Sequence, residues 1–521
     1  MTVSGAATAH QPLTVIVLAA GEGTRMKSPT RPKVLHGFAG RTLLGHVLAA
    51  TEPLAPDVTA VVIGHRADQV EEHLRQIAPD VVPVLQAEQN GTGHAVRTAL
   101  QELERRSGRR IAGTVMVIPG DAPLLAPGTL AELLAGHAAT GASATMLTSV
   151  LADPTGYGRV IRSDEHPDRV SRVVEHRDAA PAELLINEVS ALVYAFDAEP
   201  LRDAVGRLST DNAQQEEYLP EVISILVAEG KHVLARQAPA LETAGVNDRV
   251  QLAAAHRSYN ARLLEQHMRA GVTIVDPATT WLDAGVLIEP DATLQPHVQL
   301  HGATRIAGGA VIGPDSTLTD TEVGEGSVLH RTVANQARIG AGVTVGPYAY
   351  LRPGTVLADG AHIGTYVEVK ASEIGAGTKV PHLSYVGDAS IGEHTNIGAA
   401  TVFVNYDGVH KHRSTVGSHA RTGADNMFIA PVSIGDGAYT AAGSVISSDV
   451  PPGALGVGRA RQRNVAGWVL RRRAGTAAAK AAEQAQATGQ LPEAEPDPGE
   501  AGGPDRPAAQ TETEERGSIQ P

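Results

Sequence analysis

The sequence predicts an α/β domain built on a parallel sheet, followed by a parallel β-helix of hexapeptide repeats. Two observations carry the prediction. Over residues 13–250, short apolar runs alternate with amphipathic stretches, the pattern of strands and helices that wind into a parallel sheet. From Ile288 an aliphatic residue returns at every sixth position: Ile288, Leu294, Leu300, Ile306, Ile312 and Leu318. That period belongs neither to an α-helix nor to a simple strand, and Gly, Asp and small residues crowd the positions between. Hexads of this kind mark a β-helix, in which each supplies a short strand and a tight turn, and three close one coil. A single hexad cannot bury its apolar residue, whereas a stack can.

In chain order, residues 1–12 read as a leader. The first domain, 13–250, offers strands at TVIVLAAG, VTAVVIG, MVIPGD and SATMLTSV. Between them lie helices at LLGHVLAATEPL, ADQVEEHLRQI, TGHAVRTALQELERR and LAELLAGHAAT. Residues 251–270 read as a helical linker. The second domain, 271–474, carries hexads to about Gly456. Their register weakens between Asp320 and Ala337, where an irregular coil is expected. It resumes as Ile339, Val345, Leu351, Leu357, Ile363 and Val369, then slips by one to Ile374, Val380 and Val386, and again to Ile391 and Ile397. Between Val402 and Val416 the stretch FVNYDGVHKHRSTV interrupts the hexads, as a surface insertion or a functional arm. Residues 475–521, rich in Pro, Glu, Gly and Gln, lack the means to build a core and are expected to be disordered.

Bulk properties narrow the function. With 57 acidic and 43 basic residues the net charge is −14, which argues against general nucleic-acid binding. Aromatic residues are scarce at 3%, which suits a narrow solenoid interior filled by Val, Ile and Leu. The absence of cysteine excludes disulfides, thiolate metal sites and a cysteine nucleophile. No apolar run approaches the roughly 20 residues of a membrane span, and the N-terminus lacks the basic and apolar regions of a secretion signal. The expectation is a soluble cytoplasmic protein without membrane insertion.

The first chemical signal is LAAGEGTRM, Leu18 to Met26, directly after the strand TVIV. A Gly-rich turn there brings backbone N–H groups close to phosphate. No third Gly follows Gly21 and Gly23 at dinucleotide-binding spacing; the turn ends instead in Arg25, a bidentate phosphate binder, with Lys33 eight residues on. The second signal is a set of side chains that no hexad needs: Arg352, Lys370, His382 and Tyr385. Arg352 and Lys370 stand 18 residues apart, so they stack one coil apart on one face. His382 lies twelve further on, at another corner of the triangle, which suggests a site completed by a neighbouring chain. A lone His in a turn is most often only solvated; the set on consecutive coils is what points to chemistry.

These motifs resemble the sugar-1-phosphate nucleotidylyltransferases, and QAEQNGTGHA, PGDAPLL, PTGYGRV, VEHRDA and AGVNDRVQL add to the likeness. Together with the hexads, the chain from Leu13 to Trp468 resembles the bifunctional glucosamine-1-phosphate N-acetyltransferase/UDP-N-acetylglucosamine pyrophosphorylase family. The resemblance implies a Rossmann-like uridylyltransferase domain, a left-handed β-helix and a homotrimer. It further implies UTP and acetyl-CoA as co-substrates, glucosamine-1-phosphate and N-acetylglucosamine-1-phosphate as substrates, and Mg²⁺ as cofactor. Leu18, Ala19, Ala20 and Gly21 would cradle the nucleotide, and Gln86, Gly91 and Thr92 would read uracil. Arg25 and Lys33 would stabilise charge on the triphosphate, Asp121 and Asn247 would hold the metal, and Gly158 and Glu175 would contact the sugar. In the second domain His382 would be the general base, with Glu368 orienting it. Arg352 and Lys370 would bind the sugar phosphate, and Tyr385 and Asn396 the sugar. Ala399, Asn405, Tyr406, Ala424, Ala442 and Arg459 would line the acetyl-CoA site.

Three departures from the family pattern stand out. Ser190 takes the place of an Asn expected at the sugar or ribose, and Leu192 that of a Gly. EEYLPEV, Glu216 to Val222, replaces a Tyr and Thr-Asp pair. Ala424 stands where relatives carry Ser. Two other readings are a nucleotidylyltransferase whose β-helix only oligomerises, and an acetyltransferase whose first domain has decayed.

Overall fold

The computed structural model describes residues 11–489. The chain divides into two compact units, Met1–Gly458 and Arg459–Pro521. The leader falls almost wholly outside the described residues, as does the tail beyond residue 489.

The first half of the larger unit is a nine-stranded sheet. At its centre Leu13–Ala19 runs parallel to both Val58–Ile63 and Thr114–Pro119, and Val82–Leu85 adds a further parallel strand. Helices cover the sheet, so its central strands are apolar on both faces: Val15, Ile16 and Val17 are fully buried. Helices at Leu43–Thr51, Ala67–Ile77, Thr92–Ser107 and Pro127–Thr140 lie where the periodicity predicts them. The sheet is not wholly parallel. Glu188–Asp197 inserts antiparallel between Thr114–Pro119 and Ala144–Val150, and Arg159–Arg162 and Val170–Val174 pair beside it as an antiparallel ribbon.

Helix Arg249–Arg269 leads into the solenoid, capped by Asp248, whose carboxylate accepts from the Gln251 amide at 2.8 Å. Its buried Asn260 donates to Thr280 O and accepts from Leu282 N, fastening it to the first coil. Tyr259 packs on Phe38 and His46 of the first domain, and Ala284 N donates to Ala39 O at 2.9 Å.

The β-helix comprises three parallel sheets of seven, ten and nine short strands. Its predicted aliphatics form one continuous core; Leu294, Leu300, Ile312, Leu318, Ile363, Val369 and Val380 are fully buried. Buried hydroxyls at the corners satisfy backbone groups one coil away, as where Ala389 N donates to Ser372 Oγ. The expected irregular coil over Asp320–Ala337 is absent. Glu322–Val323, Val328–Leu329 and Thr332–Asn335 are ordinary rungs. The hexad register fails there because the coils are short: Arg305 pairs with Glu322 and Glu322 with Arg338, steps of 17 and 16 residues. Asp320, Arg331 and Gln336 turn the tightened corners in the left-handed conformation.

In the smaller unit, Ala477–Ala487 is a helix, against the expectation of disorder from residue 475. Its seven alanines favour helix, and Thr476 caps it by accepting from the Ala479 amide. No helix among the described residues is long and apolar enough to cross a membrane.

Candidate active sites

The first site forms where the parallel strands end, the place such sheets bind ligands. Leu18–Gly21 close the central strand, Asp121 follows Thr114–Pro119, and Gln86 follows Val82–Leu85. Lys33 Nζ pairs with the Asp121 carboxylate and donates to Asn247 Oδ1 at 3.1 Å. Arg25 Nη2 donates to the same Asn247 oxygen at 3.0 Å. Four residues from distant parts of the sequence thus meet at one point, with a cation already drawn to the Asp121 and Asn247 oxygens. A carboxylate and an amide oxygen are hard donors that suit Mg²⁺ completed by phosphate and water. Among the described residues no cluster of three or more His, Asp or Glu makes a full protein metal cage.

The expected base-reading residues are adjacent. Gln86 is buried and donates from Nε2 to Gly91 O at 3.0 Å. Gly91, at φ 103°, begins helix Thr92–Ser107, and a Cβ there would stand 2.5 Å from Glu217 O. Thr92 Oγ1 accepts from Leu219 N at 3.0 Å, so the departing segment EEYLPEV packs directly on this corner. Gly158 and Glu175 also meet: a Cβ on Gly158 would stand 3.2 Å from Glu175 Oε1. Burial, aided by the Asp178 charge, pushes the Glu175 carboxyl above its usual range.

Ser190 lies beside them, its N–H bonded to Gly158 O at 2.9 Å and its Oγ 2.9 Å from Tyr194 Oη. Leu192 occupies a bulge of the same strand at φ 56°, the left-handed conformation a Gly takes without strain. Tyr157 escaped the sequence reading. Burial and then the Asp121 charge push its phenol up while Arg25 draws it back, so it lies within electrostatic reach of both.

The second site lies on the solenoid. Arg352 and Lys370 stack one coil apart, as their spacing predicts: Leu351 pairs with Val369 and Arg352 N donates to Val369 O. His382 ends Lys379–His382 on the adjoining sheet, exposed at the corner before Tyr385–Gly387. From this corner a ladder descends along the solenoid: Ala400 N donates to His382 O, Asp425 N to Ala399 O, and Gly443 N to Ala424 O. His382, Ala399, Ala424 and Ala442 therefore share one edge, with rungs about 4.8 Å apart. Asn396 lies on the sheet next to that edge, bridging Lys379 and Arg421.

Two contacts differ from expectation. Glu368 does not bond to His382; its Oε1 accepts from Arg352 Nη1 at 2.8 Å. Asp388, which the sequence reading left without a role, is the hub. Its oxygens hold Lys370 Nζ at 2.8 and 2.9 Å, and Asn405 Nδ2 donates to Oδ2. Burial pushes its carboxyl up, but the Lys370 and Asn405 hydrogen bonds and the Lys370 and Lys411 charges outweigh that and hold it below the usual range. Spacing could have found it, since Asp388 stands 18 residues after Lys370. Asn405 Nδ2 also reaches Tyr385 Oη at 3.3 Å, tying the interrupting loop to the solenoid. Beyond it, Tyr406 is 55% exposed on a small hairpin with Lys411. Arg459 opens the second compact unit.

One cavity of about 1140 Å³, lined by Arg41, His73 and Ile77 among others, contains none of the expected residues.

The fold and its two sites define a nucleotidyltransferase domain joined to a hexapeptide-repeat transferase. Residues 15–167 match the MobA-like NTP transferase domain family, and residues 336–371 match the bacterial transferase hexapeptide repeat. The chain is 57% identical over 478 residues to the bifunctional protein GlmU of Streptomyces avermitilis, covering 92% of this chain and 98% of that one. It is 55% identical to the proteins of that name from Streptomyces coelicolor and Thermobifida fusca, covering 91% and 92% of this chain and 98% of each relative. The chain belongs to the bifunctional GlmU family.

Proposed function

We infer that the chain makes UDP-N-acetylglucosamine, a cell-wall precursor, in two reactions at the two sites, N-acetylation preceding uridylyl transfer. The observation that carries this reading is the coexistence of two separate polar constellations on one chain: Lys33, Asp121, Asn247 and Arg25 on the sheet, and Arg352, Lys370, Asp388 and Asn405 beside His382 on the solenoid. A β-helix that only oligomerised would have no need of the second.

On the solenoid, Arg352 and Lys370 bind the phosphate of glucosamine-1-phosphate, while Tyr385 and Asn396 hold its ring. His382 takes a proton from the amine as nitrogen attacks the acetyl-CoA thioester; the C–N bond forms, the C–S bond breaks, and CoA leaves as the thiol. Histidine is the side chain that most often does this task. The ladder of Ala399, Ala424 and Ala442 leaves the corner free of bulk along the solenoid, a course for the pantetheine arm toward His382, with Asn405 and Tyr406 as further CoA contacts. Since the sugar-phosphate residues and the His382 edge occupy different faces, a homotrimer would complete each site.

On the sheet, Leu18–Gly21 cradle UTP and Gln86, Gly91 and Thr92 hold uracil. Gly158, Glu175 and Ser190 hold the N-acetylglucosamine moiety. A phosphate oxygen of the sugar attacks the α-phosphorus, and the bond to the β-phosphate breaks to release pyrophosphate. That oxygen is already a good nucleophile, so positioning and charge neutralisation by Arg25 and Lys33 carry the rate. Asp121 and Asn247 would hold Mg²⁺, which when bound neutralises the phosphates. We place both reactions in the cytoplasm, where UTP and acetyl-CoA are made.

The test supplies purified protein with glucosamine-1-phosphate, acetyl-CoA, UTP and Mg²⁺. UDP-N-acetylglucosamine should form, and omitting acetyl-CoA should abolish it until N-acetylglucosamine-1-phosphate is added. Failure of that addition to restore product refutes the uridylyl-transfer reading.

A further inference from the structure

Among the largest fully buried side chains is a cation. Arg159 is 2% exposed and forms no salt bridge among the described residues, although its charge helps to lower the Asp153 carboxyl. Its backbone is fixed in the ribbon, opposite Val174 on one side and Val189 on the other. Its Nη1 donates to Pro154 O at 2.7 Å and to Tyr157 O. Its Nη2 stands 3.5 Å from His176 Nδ1, and its Nε has no hydrogen-bond partner among the described residues. Burying a guanidinium without a directly bonded carboxylate is costly, so a position that keeps one calls for a reason beyond filling space.

The partners supply it. Pro154 and Tyr157 bracket the turn that ends at Gly158, while His176 follows Glu175. Gly158 and Glu175 are the two residues that meet at the sugar end of the first site. One planar guanidinium therefore bridges the two segments that present them, through Pro154 O and Tyr157 O on one side and His176 on the other. Arg suits this because its fork directs several donors in fixed directions, which a Lys ammonium does not.

We propose that Arg159 is a positioning residue for sugar-phosphate recognition in uridylyl transfer, locking the Pro154–Gly158 turn against Glu175–His176. The proposal rests on the uridylyl-transfer reading of the first site. It separates from that reading because wild-type pyrophosphate release tests the reading alone.

The experiment compares wild type with Arg159→Met and Arg159→Lys in the full chain. It measures KM for N-acetylglucosamine-1-phosphate, KM and Kd for UTP, and Tm. Arg159→Met should raise the sugar-phosphate KM about tenfold to a hundredfold, the loss expected for charge-assisted hydrogen bonds. Arg159→Lys should restore part of that loss, and UTP Kd should stay within about twofold of wild type, since no uracil-end residue touches Arg159. A sugar-phosphate KM unchanged in both variants while Tm falls would overturn the proposal in favour of a purely structural role. Should the Met variant lose UTP binding as well, the Lys variant decides: sugar-phosphate and UTP affinity weakened equally there also overturns it.

Discussion

Asp388→Asn tests the hub of the solenoid site. The Lys370 and Asp388 side chains are 17% and 19% exposed, and both carboxylate oxygens engage the ammonium. The substitution keeps the shape, removes the charge and leaves a largely buried Lys370 without its counter-ion. A hydrogen bond to a charged group is worth about 1.5–3 kcal/mol in a protein; residual solvent screening favours the lower half, about 1.5–2 kcal/mol. At about 1.4 kcal/mol per factor of ten, kcat/KM for acetyl transfer to glucosamine-1-phosphate should fall roughly 10- to 30-fold. Thiol release from acetyl-CoA reads this directly, and pyrophosphate release should stay at the wild-type level.

The same substitution has a pH signature. The folded-state value of Asp388 lies below the ordinary one, so its stabilisation is present above the unfolded value, near pH 3.9, and lost as pH falls through the folded value. Wild type should therefore exceed the variant in Tm at pH 7, with the gap closing under acid conditions below about pH 4. Acetyl transfer within twofold of wild type in a folded variant would refute the role assigned to Asp388.

Other consequences follow from the two sites. Gly91→Ala adds a Cβ 2.5 Å from Glu217 O at a φ of 103°; it should destabilise by about 2 kcal/mol or more and weaken UTP binding, read by thermal unfolding and UTP titration. Chelating divalent ions with EDTA should abolish pyrophosphate release and spare thiol release; loss of both contradicts a metal confined to the first site. If a trimer completes each solenoid site, dilution through the dissociation range should lower specific acetyl-transfer activity in step with the loss of trimer by sedimentation, without a parallel fall in uridylyl transfer.

Much of this architecture is legible in the sequence. The hexad aliphatics named the solenoid core because each must point inward, and the 18-residue spacing of Arg352 and Lys370 placed them on one face, as found. What escaped depends on contacts between residues distant in sequence. Glu188–Asp197 is buried on both faces, like its parallel neighbours, so nothing in its composition announces the opposite direction. The coils over Asp320–Ala337 lost their period through single-residue shortening at corners, which a fixed six-residue count reads as irregularity. Glu368 is expected to serve His382, but its carboxylate reaches across to Arg352 beside the neighbouring rung of its own sheet, where Tyr350 pairs with Glu368. Motifs single out Lys33, Asp121 and Asn247; their convergence is a product of topology, since Lys33 begins a short 3-10 helix, Asp121 follows Thr114–Pro119 and Asn247 precedes helix Arg249–Arg269.

The most direct test is a crossed pair of single substitutions in the full-length chain, with thiol release and pyrophosphate release measured separately on each. Bifunctional catalysis at two independent sites requires His382→Ala to lose thiol release from acetyl-CoA and glucosamine-1-phosphate while keeping pyrophosphate release from UTP and N-acetylglucosamine-1-phosphate. Asp121→Ala should give the reverse. If His382→Ala leaves thiol release intact, or if wild type forms no pyrophosphate from UTP and N-acetylglucosamine-1-phosphate, the assignment of two reactions to these two sites is wrong.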